Sequence, residues 1–182
     1  MNDDEESSAA VDEEERARIL RERARKLALR PREAESAHRD ILEFTLSGES
    51  YGIELACISE VYPMADLTPI PCAPGFVLGV VNIRGRIFSV IDLRRLFGLA
   101  SAERAPGDKV IVMQDAVMEF GIRAELIVGT RSVPSGGIRQ GIPTLDGTGA
   151  GYLKGITDDH VAVLDGEKML GDAKLIVHED VA

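Results

Sequence analysis

The chain has 182 residues, with 21 Lys and Arg against 31 Asp and Glu, for a formal net charge of −10. That length holds one ordinary domain or two very small ones sharing a core, and an apolar content of 45% is enough to bury one. The charge argues against nucleic acid and against anionic membrane surfaces, since both need a clustered positive face.

Two cysteines, Cys57 and Cys72, do not make a disulfide framework. No charged start followed by an apolar stretch marks a secretory signal, and the longest apolar runs fall far short of the roughly 18 residues a membrane span needs. A cytoplasmic protein with no direct membrane insertion is the expectation.

In chain order, residues 1–39 read as an arm. All 18 glycines and all eight aromatics lie beyond residue 40, whereas residues 1–40 carry 21 of the 52 charged side chains. Residues 1–15 hold eight acids and no base; residues 16–32 hold eight bases and a single acid, Glu22. Such a segment cannot fold alone. Ala17, Leu20, Ala24, Leu27 and Ala28 nevertheless recur at helical spacing, and acids leading bases suits the helix macrodipole. The spacing predicts a helix over 12–30, stopped before Pro31, then a linker. Its narrow stripe, centred on Leu20 and Leu27, would either contact a partner or remain solvated.

From Ile41 the pattern changes to period two. Ile41, Leu42, Phe44 and Leu46, then Gly48-Glu49, then Tyr51, Ile53 and Leu55 predict strand, tight turn and strand. The stretch Thr68-Pro69-Ile70-Pro71-Cys72-Ala73-Pro74 predicts an extended connector poor in backbone donors. Residues 77–81 and 86–91 flank Asn82-Ile83-Arg84-Gly85 as a second hairpin, with Gly85 free to take positive φ. Further strands are predicted at 109–114, 118–122, 125–128 and 174–178. Residues 134–151, with six glycines and two prolines, read as loop. Many short strands at this spacing indicate an all-β barrel or sandwich.

Two segments repeat. Phe76-Val77-Leu78-Gly79-Val80 matches Tyr152-Leu153-Lys154-Gly155-Ile156. Each runs on to a strand that ends in aspartate, Asp92 or Asp165, which would cap the short helical piece that follows.

Chemistry-bearing motifs are scarce. There is no metal-ligand spacing, no Gly-x-Ser-x-Gly elbow, and Gly147-Thr-Gly-Ala-Gly151 lacks the ending of a phosphate loop. Asp158-Asp159-His160 falls where the repeat predicts a solvated hairpin turn. A nucleic-acid-binding barrel is disfavoured because residues 41–182 carry 19 acids and 12 bases. No catalysis, cofactor or metal is expected.

The chain resembles the CheW-like family, the coupling proteins of bacterial chemosensory arrays, from about Ile41 to Val177. The resemblance is carried by Phe44-Thr45-Leu46-x-Gly48-Glu49-x-Tyr51-Gly52-Ile53, by Ile58-x-Glu60-Val61 and by Ile70-Pro71-x-Ala73-Pro74-x-Phe76-Val77-x-Gly79-Val80-Val81-Asn82-Ile83-Arg84-Gly85. Val90-Ile91-Asp92-Leu93-Arg94 and Leu96-Phe97-Gly98 complete it. It implies two SH3-like five-stranded barrels side by side over 40–182, preceded here by the charged helix. It also implies an adaptor joining the cytoplasmic tips of methyl-accepting chemoreceptors to the regulatory domain of a chemotaxis histidine kinase, in arrays at the inner face of the membrane. An adaptor of a non-flagellar pathway and a small-barrel module with an unrelated partner are the alternatives. Family partner positions fall at Ile58, Glu60, Gly79, Arg84 and Gly85. On the residues alone, Arg84 would offer its guanidinium fork to a partner, Glu60 would be a contact or a solvated strand residue, Ile58 favours core, and the two glycines suit turns and close packing. The chain departs from the family at Ser89, where many members have proline, at Gly129, where many have an acid, and in a short 155–165 segment.

Overall fold

The computed structural model describes residues 38–100, 104–140 and 149–175. The predicted helix over 12–30, with Leu20 and Leu27, lies outside the described residues. The first hairpin pairs β1 (His38–Leu46) with β2 (Glu49–Glu54). After a 3-10 turn at Leu55–Cys57 comes β3 (Ile58–Pro63), and the proline-rich connector leads to the hairpin β4 (Val77–Ile83) and β5 (Arg86–Ile91). Then follow α1 (Leu93–Leu96), β6 (Lys109–Gln114), β7 (Glu119–Ala124) and β8 (Leu126–Pro134). The short β9 (Ile138–Arg139), β10 (Leu153–Thr157), β11 (Ala162–Leu164) and α2 (Gly166–Leu170) complete the order.

These strands form a five-stranded sheet, β3-β6-β7-β5-β4, and a six-stranded sheet, β8-β1-β2-β11-β10-β9. Each is mixed: β5 runs parallel to β7, and β11 runs parallel to β2. The sequence repeat is a repeat of register. Gly79 lies opposite Val90 in one hairpin and Gly155 opposite Val163 in the other. Val90 is aligned with Gly121 across the parallel pair, as Val163 is with Gly52. A Cβ on Gly121 would stand 2.5 Å from Val110 Cγ1, and one on Gly52 2.8 Å from Ile41 Cδ1, so both crossing points are tight, Gly52 against the movable end of a side chain.

Alternate residues of the central strands serve different cores. Ile91, Ile111, Met113, Leu42 and Leu164 join a large shared core with Phe44, Tyr51 and Phe120. Their neighbours Val90, Val110 and Val112 join a small cluster belonging to the five-stranded sheet, and Ile41 and Val163 join one belonging to the six-stranded sheet. Because both faces are covered, these strands read as unbroken apolar runs. Both helical pieces are capped as their aspartates predict: Asp92 accepts from the Arg94 N–H and Asp165 from the Lys168 N–H.

Two barrels were the expectation, and this is corrected: neither sheet closes. The edge strands β3 and β4 are not paired with one another, nor are β8 and β9. The chemistry of the connectors explains it. β3 ends at Pro63, and Pro69, Pro71 and Pro74 remove donors from the segment that would bridge to β4, leaving an isolated pair between Thr68 and Val80. β8 ends at Pro134, and β9 is only two residues long. The last predicted strand is also corrected. Ala173–Leu175 is a 3-10 turn started by Asp172, whose carboxylate accepts from the Lys174 N–H, and residues 176–178 lie outside the described residues. The expected 134–151 loop does contain β9 and two 3-10 turns, Ser135–Gly137 and Gly149–Tyr152. Among the described residues no helix is long and apolar enough to cross a membrane.

Candidate functional site

Most of the sequence-predicted partner positions meet at one end of the five-stranded sheet. The β4–β5 turn has only two residues, Arg84 with φ 51° and Gly85 with φ 83°. That is the doubly left-handed turn matched to strand twist, and Gly85 enters it without strain. Asn82 fixes it, its Oδ1 accepting from the Gly85 N–H at 2.9 Å. Arg84 is therefore held on a rigid tip, with its side chain 75% exposed.

The guanidinium of Arg84 reaches back across the sheet. Its Nη1 is 3.6 Å from Glu60 Oε2, and its Cζ lies 5.2 Å from the centre of the Tyr62 ring. Glu60 and Tyr62 belong to β3, the opposite edge of the same sheet, so the sheet must curl until its two ends come within side-chain reach. An exposed pair of this kind contributes roughly 0–1 kcal/mol, and an exposed cation–π contact about 0.5–1 kcal/mol. Neither holds Arg84 strongly enough to prevent its fork engaging a carboxylate or backbone carbonyls on another molecule. Exposed apolar side chains stand on the same strands, with Ile87 on β5 and Val61 on β3. Arg86 lies over the Phe88 ring and pairs with Glu119.

The other predicted positions lie differently. Ile58 is half-buried and packs against the shared core, as its strand periodicity suggests. Gly79 is buried, has φ 144°, and a Cβ there would stand 2.2 Å from the Thr68 carbonyl oxygen. Gly79 thus shapes the edge that carries the tip without facing a partner itself. Tyr62 and Ile87 were missed. Tyr62 follows Glu60 at strand spacing and was the available signal; Ile87 had none, because an apolar residue in an apolar strand reads as core.

The second repeat supplies an internal comparison. Arg131 on β8 lies opposite Ile41, the position Tyr62 holds opposite Val110. Its Nη2 donates to Asp159 Oδ1 at 2.8 Å, and Asp159 also accepts from Thr157 Oγ1 at 2.7 Å. Hydrogen bonds from Arg131 and Thr157 hold the Asp159 carboxyl far below the usual carboxylate range. Asp158 pairs with Arg139 at 2.7 Å. The β10–β11 turn is thus clasped at the place where the β4–β5 turn is open. A groove of about 410 Å³ beside it is lined by Glu49, Tyr51, Asp159 and His160. Asp159 there is already committed to Arg131, and among the described residues no three His, Cys, Asp or Glu side chains gather as metal ligands.

The sequence pattern of the CheW-like domain family matches residues 40–174. The chemotaxis protein CheW of Treponema pallidum (strain Nichols) is 28% identical over 142 residues, covering 74% of this chain and 84% of that one. Protein FrzA of Myxococcus xanthus is 28% identical over 129 residues, covering 68% and 79%. The crystal structure of the scaffolding protein TtCheW from Thermoanaerobacter tengcongensis superposes with a TM-score of 0.62 at 25% identity, covering 69% of this chain and 88% of that one.

Proposed function

The chain belongs to the family of CheW-like domains, and on that footing we propose that the β4–β5 tip is a surface through which it grips its partners. It is a non-catalytic scaffold of chemotaxis signalling. The partners would be the regulatory domain of a chemotaxis histidine kinase and the cytoplasmic tips of methyl-accepting chemoreceptors, which would place it in arrays at the inner face of the membrane.

Binding energy is the whole mechanism. A scaffold that contacts kinase and receptor together lets a shift in the receptor bias the kinase between two states, provided the scaffold's affinities differ between those states. The observation that carries the assignment to this tip is Arg84: rigidly mounted, 75% exposed, and only loosely paired at 3.6 Å. Ile58, Glu60, Gly79 and Gly85 serve the same surface in different ways. Glu60 lies beside the guanidinium, Gly85 completes the turn that carries Arg84, Ile58 anchors β3 to the core, and Gly79 shapes β4.

The test is reconstitution. The full chain is mixed with purified kinase and with receptor cytoplasmic fragments, and co-sedimentation and kinase output are measured. Receptor-dependent kinase output that requires the chain supports the reading. Binding to neither partner would overturn it.

A further inference from the structure

A buried ion network runs through the junction between the two sheets. Asp92, Arg94, Asp108 and Arg123 are each at most 3% exposed. Arg123, on β7, donates through Nε to Asp108 Oδ2 at 2.7 Å and through Nη1 to Asp92 Oδ2 at 3.4 Å. Asp92 caps α1, and the Nε of Arg94, on that helix, lies 4.0 Å from Asp92 Oδ1. All of these groups belong to the five-stranded half. The Nη1 of Arg94 then leaves it and donates to Glu125 Oε1.

Glu125 is the single residue between β7, which lies in the five-stranded sheet, and β8, which lies in the six-stranded sheet. Its other carboxylate oxygen accepts from the Ser47 N–H at 3.1 Å, in the β1–β2 turn of the six-stranded sheet. Its own N–H donates to the Thr45 carbonyl at 3.2 Å. The chain thus crosses between sheets at a residue whose side chain is gripped from both sides.

We infer that Arg94 and Glu125 are positioning residues, a latch that fixes the angle between the two sheets and so the relative placement of the surfaces each presents. Burying ions costs desolvation that offsets most of the Coulomb gain, so such a network stabilises little for its size. What it does impose is geometry: Arg123 is held by two carboxylates at once, and the buried Arg94 reaches Glu125 through Nη1 alone, its Nε and Nη2 having no hydrogen-bond partner, so Glu125 is the contact that places it. The sheets also share the large core and a second link through Leu55–Cys57, so the latch sets the angle within a packed junction rather than across a free pivot. This inference rests on the scaffold reading, because only a protein that holds two partners needs a fixed angle between its halves.

The test measures the angle without partners. Spin labels are placed on Ile87→Cys in β5 and Thr130→Cys in β8, both exposed, in a Cys72→Ser background. With Glu125 intact the inter-label distance distribution is narrow. In Glu125→Ala it broadens about twofold, because a second arrangement becomes populated, while circular dichroism stays that of a folded chain. Should Glu125→Ala not fold, Glu125→Gln keeps the shape and the acceptor for Ser47 but drops the charge that holds Arg94, and broadens the distribution less. A folded variant with an unchanged distribution overturns the latch. Unlabelled Glu125→Ala should keep its affinity for kinase alone and receptor alone but lose joint assembly, a split that simple destabilisation does not produce. Loss of neither joint assembly nor angle would also overturn it, whereas an unmutated chain that binds no partner would refute the scaffold reading and leave the distance result standing.

Discussion

Arg84 and Glu60 sit at opposite edges of one sheet, separated by β6, β7 and β5, yet their charged ends lie 3.6 Å apart. That proximity lets an internal pair be told from a partner contact. Arg84→Glu places two acids together and should weaken partner binding by about 1.5–3 kcal/mol, the worth of a charge-assisted hydrogen bond. Stability should fall by no more than about 1–2 kcal/mol, the combined worth of the exposed ion pair and the cation–π contact. Adding Glu60→Arg restores the internal pair with its charges exchanged. If Arg84 acts on a partner, binding stays lost in the double variant; if it acts only by steadying β3, binding returns. Titration of each variant against kinase and receptor fragments distinguishes the two.

Much of this surface was legible because it is local. A two-residue turn, period-two strands and an Asn three residues before Gly85 are written in consecutive residues, and the match of 76–80 to 152–156 foretold the shared register of Gly79 and Gly155. Contacts between distant residues were not legible. Nothing near Asp92 announces Arg123, which sits in an apolar strand, so Asp92 read as a helix cap alone. Sheet closure failed for the same reason. The prolines of 69–74 were read as an extended connector, but whether a connector pairs with both edges depends on donors that only the assembled sheet reveals. Arg84 itself taking a positive φ of 51° was also missed, because arginine has no preference for it.

Gly79 is predicted to be indispensable for structure. With φ 144° and a Cβ that would lie 2.2 Å from a backbone oxygen, Gly79→Ala meets both strain and a contact that no side-chain rotation relieves. The cost should be about 1–3 kcal/mol or more. Gly155→Ala would meet the Arg139 carbonyl at 2.6 Å without a left-handed φ, and should cost less. Gly75, with nothing within 4 Å of its Cβ, is the neutral control. Thermal melts of the three variants should rank in that order, and a Gly79→Ala melting point equal to that of Gly75→Ala would refute the argument.

The clasp of the second repeat should give an acid-sensitive stability. The Asp159 carboxyl is held well below its ordinary value by hydrogen bonds from Arg131 and Thr157. A depressed folded value means the contribution is present above the unfolded aspartate value of about 3.9 and is lost as pH falls through the folded value. Asp159→Asn should therefore lower stability at neutral pH, modestly because the side chain is 59% exposed, and flatten the fall in stability below pH ~4. Urea titrations at neutral and at acid pH measure both. An acid limb as steep in Asp159→Asn as in the parent would mean that other carboxylates carry it.

At the alkaline end Tyr152 is one of the groups that contribute. The Tyr152 ring is buried against Phe97, with ring centres 6.5 Å apart, and its hydroxyl donates to Asp172 at 2.7 Å. Burial first, then the hydrogen bond to the Asp172 carboxylate and that carboxylate's charge, push the phenol up to about 12. In the unfolded chain it ionises near its ordinary value of about 10. Between those values the unfolded state has lost a proton that the folded state keeps, so raising the pH favours unfolding. The stabilisation is complete below pH ~10 and disappears as pH approaches the folded value. Tyr152→Phe keeps the ring packing and removes the proton, so its stability should fall less steeply over that window. Tyr51, raised further in the same direction by its burial and by Glu49, contributes at least as much over the same window, and the Cys57 thiol, pushed up by burial, adds to the slope, so Tyr152→Phe removes only its own share. Chemical denaturation at a series of alkaline pH values, with parent and variant side by side, decides it: equal slopes would show that the Tyr152 proton is not linked to folding.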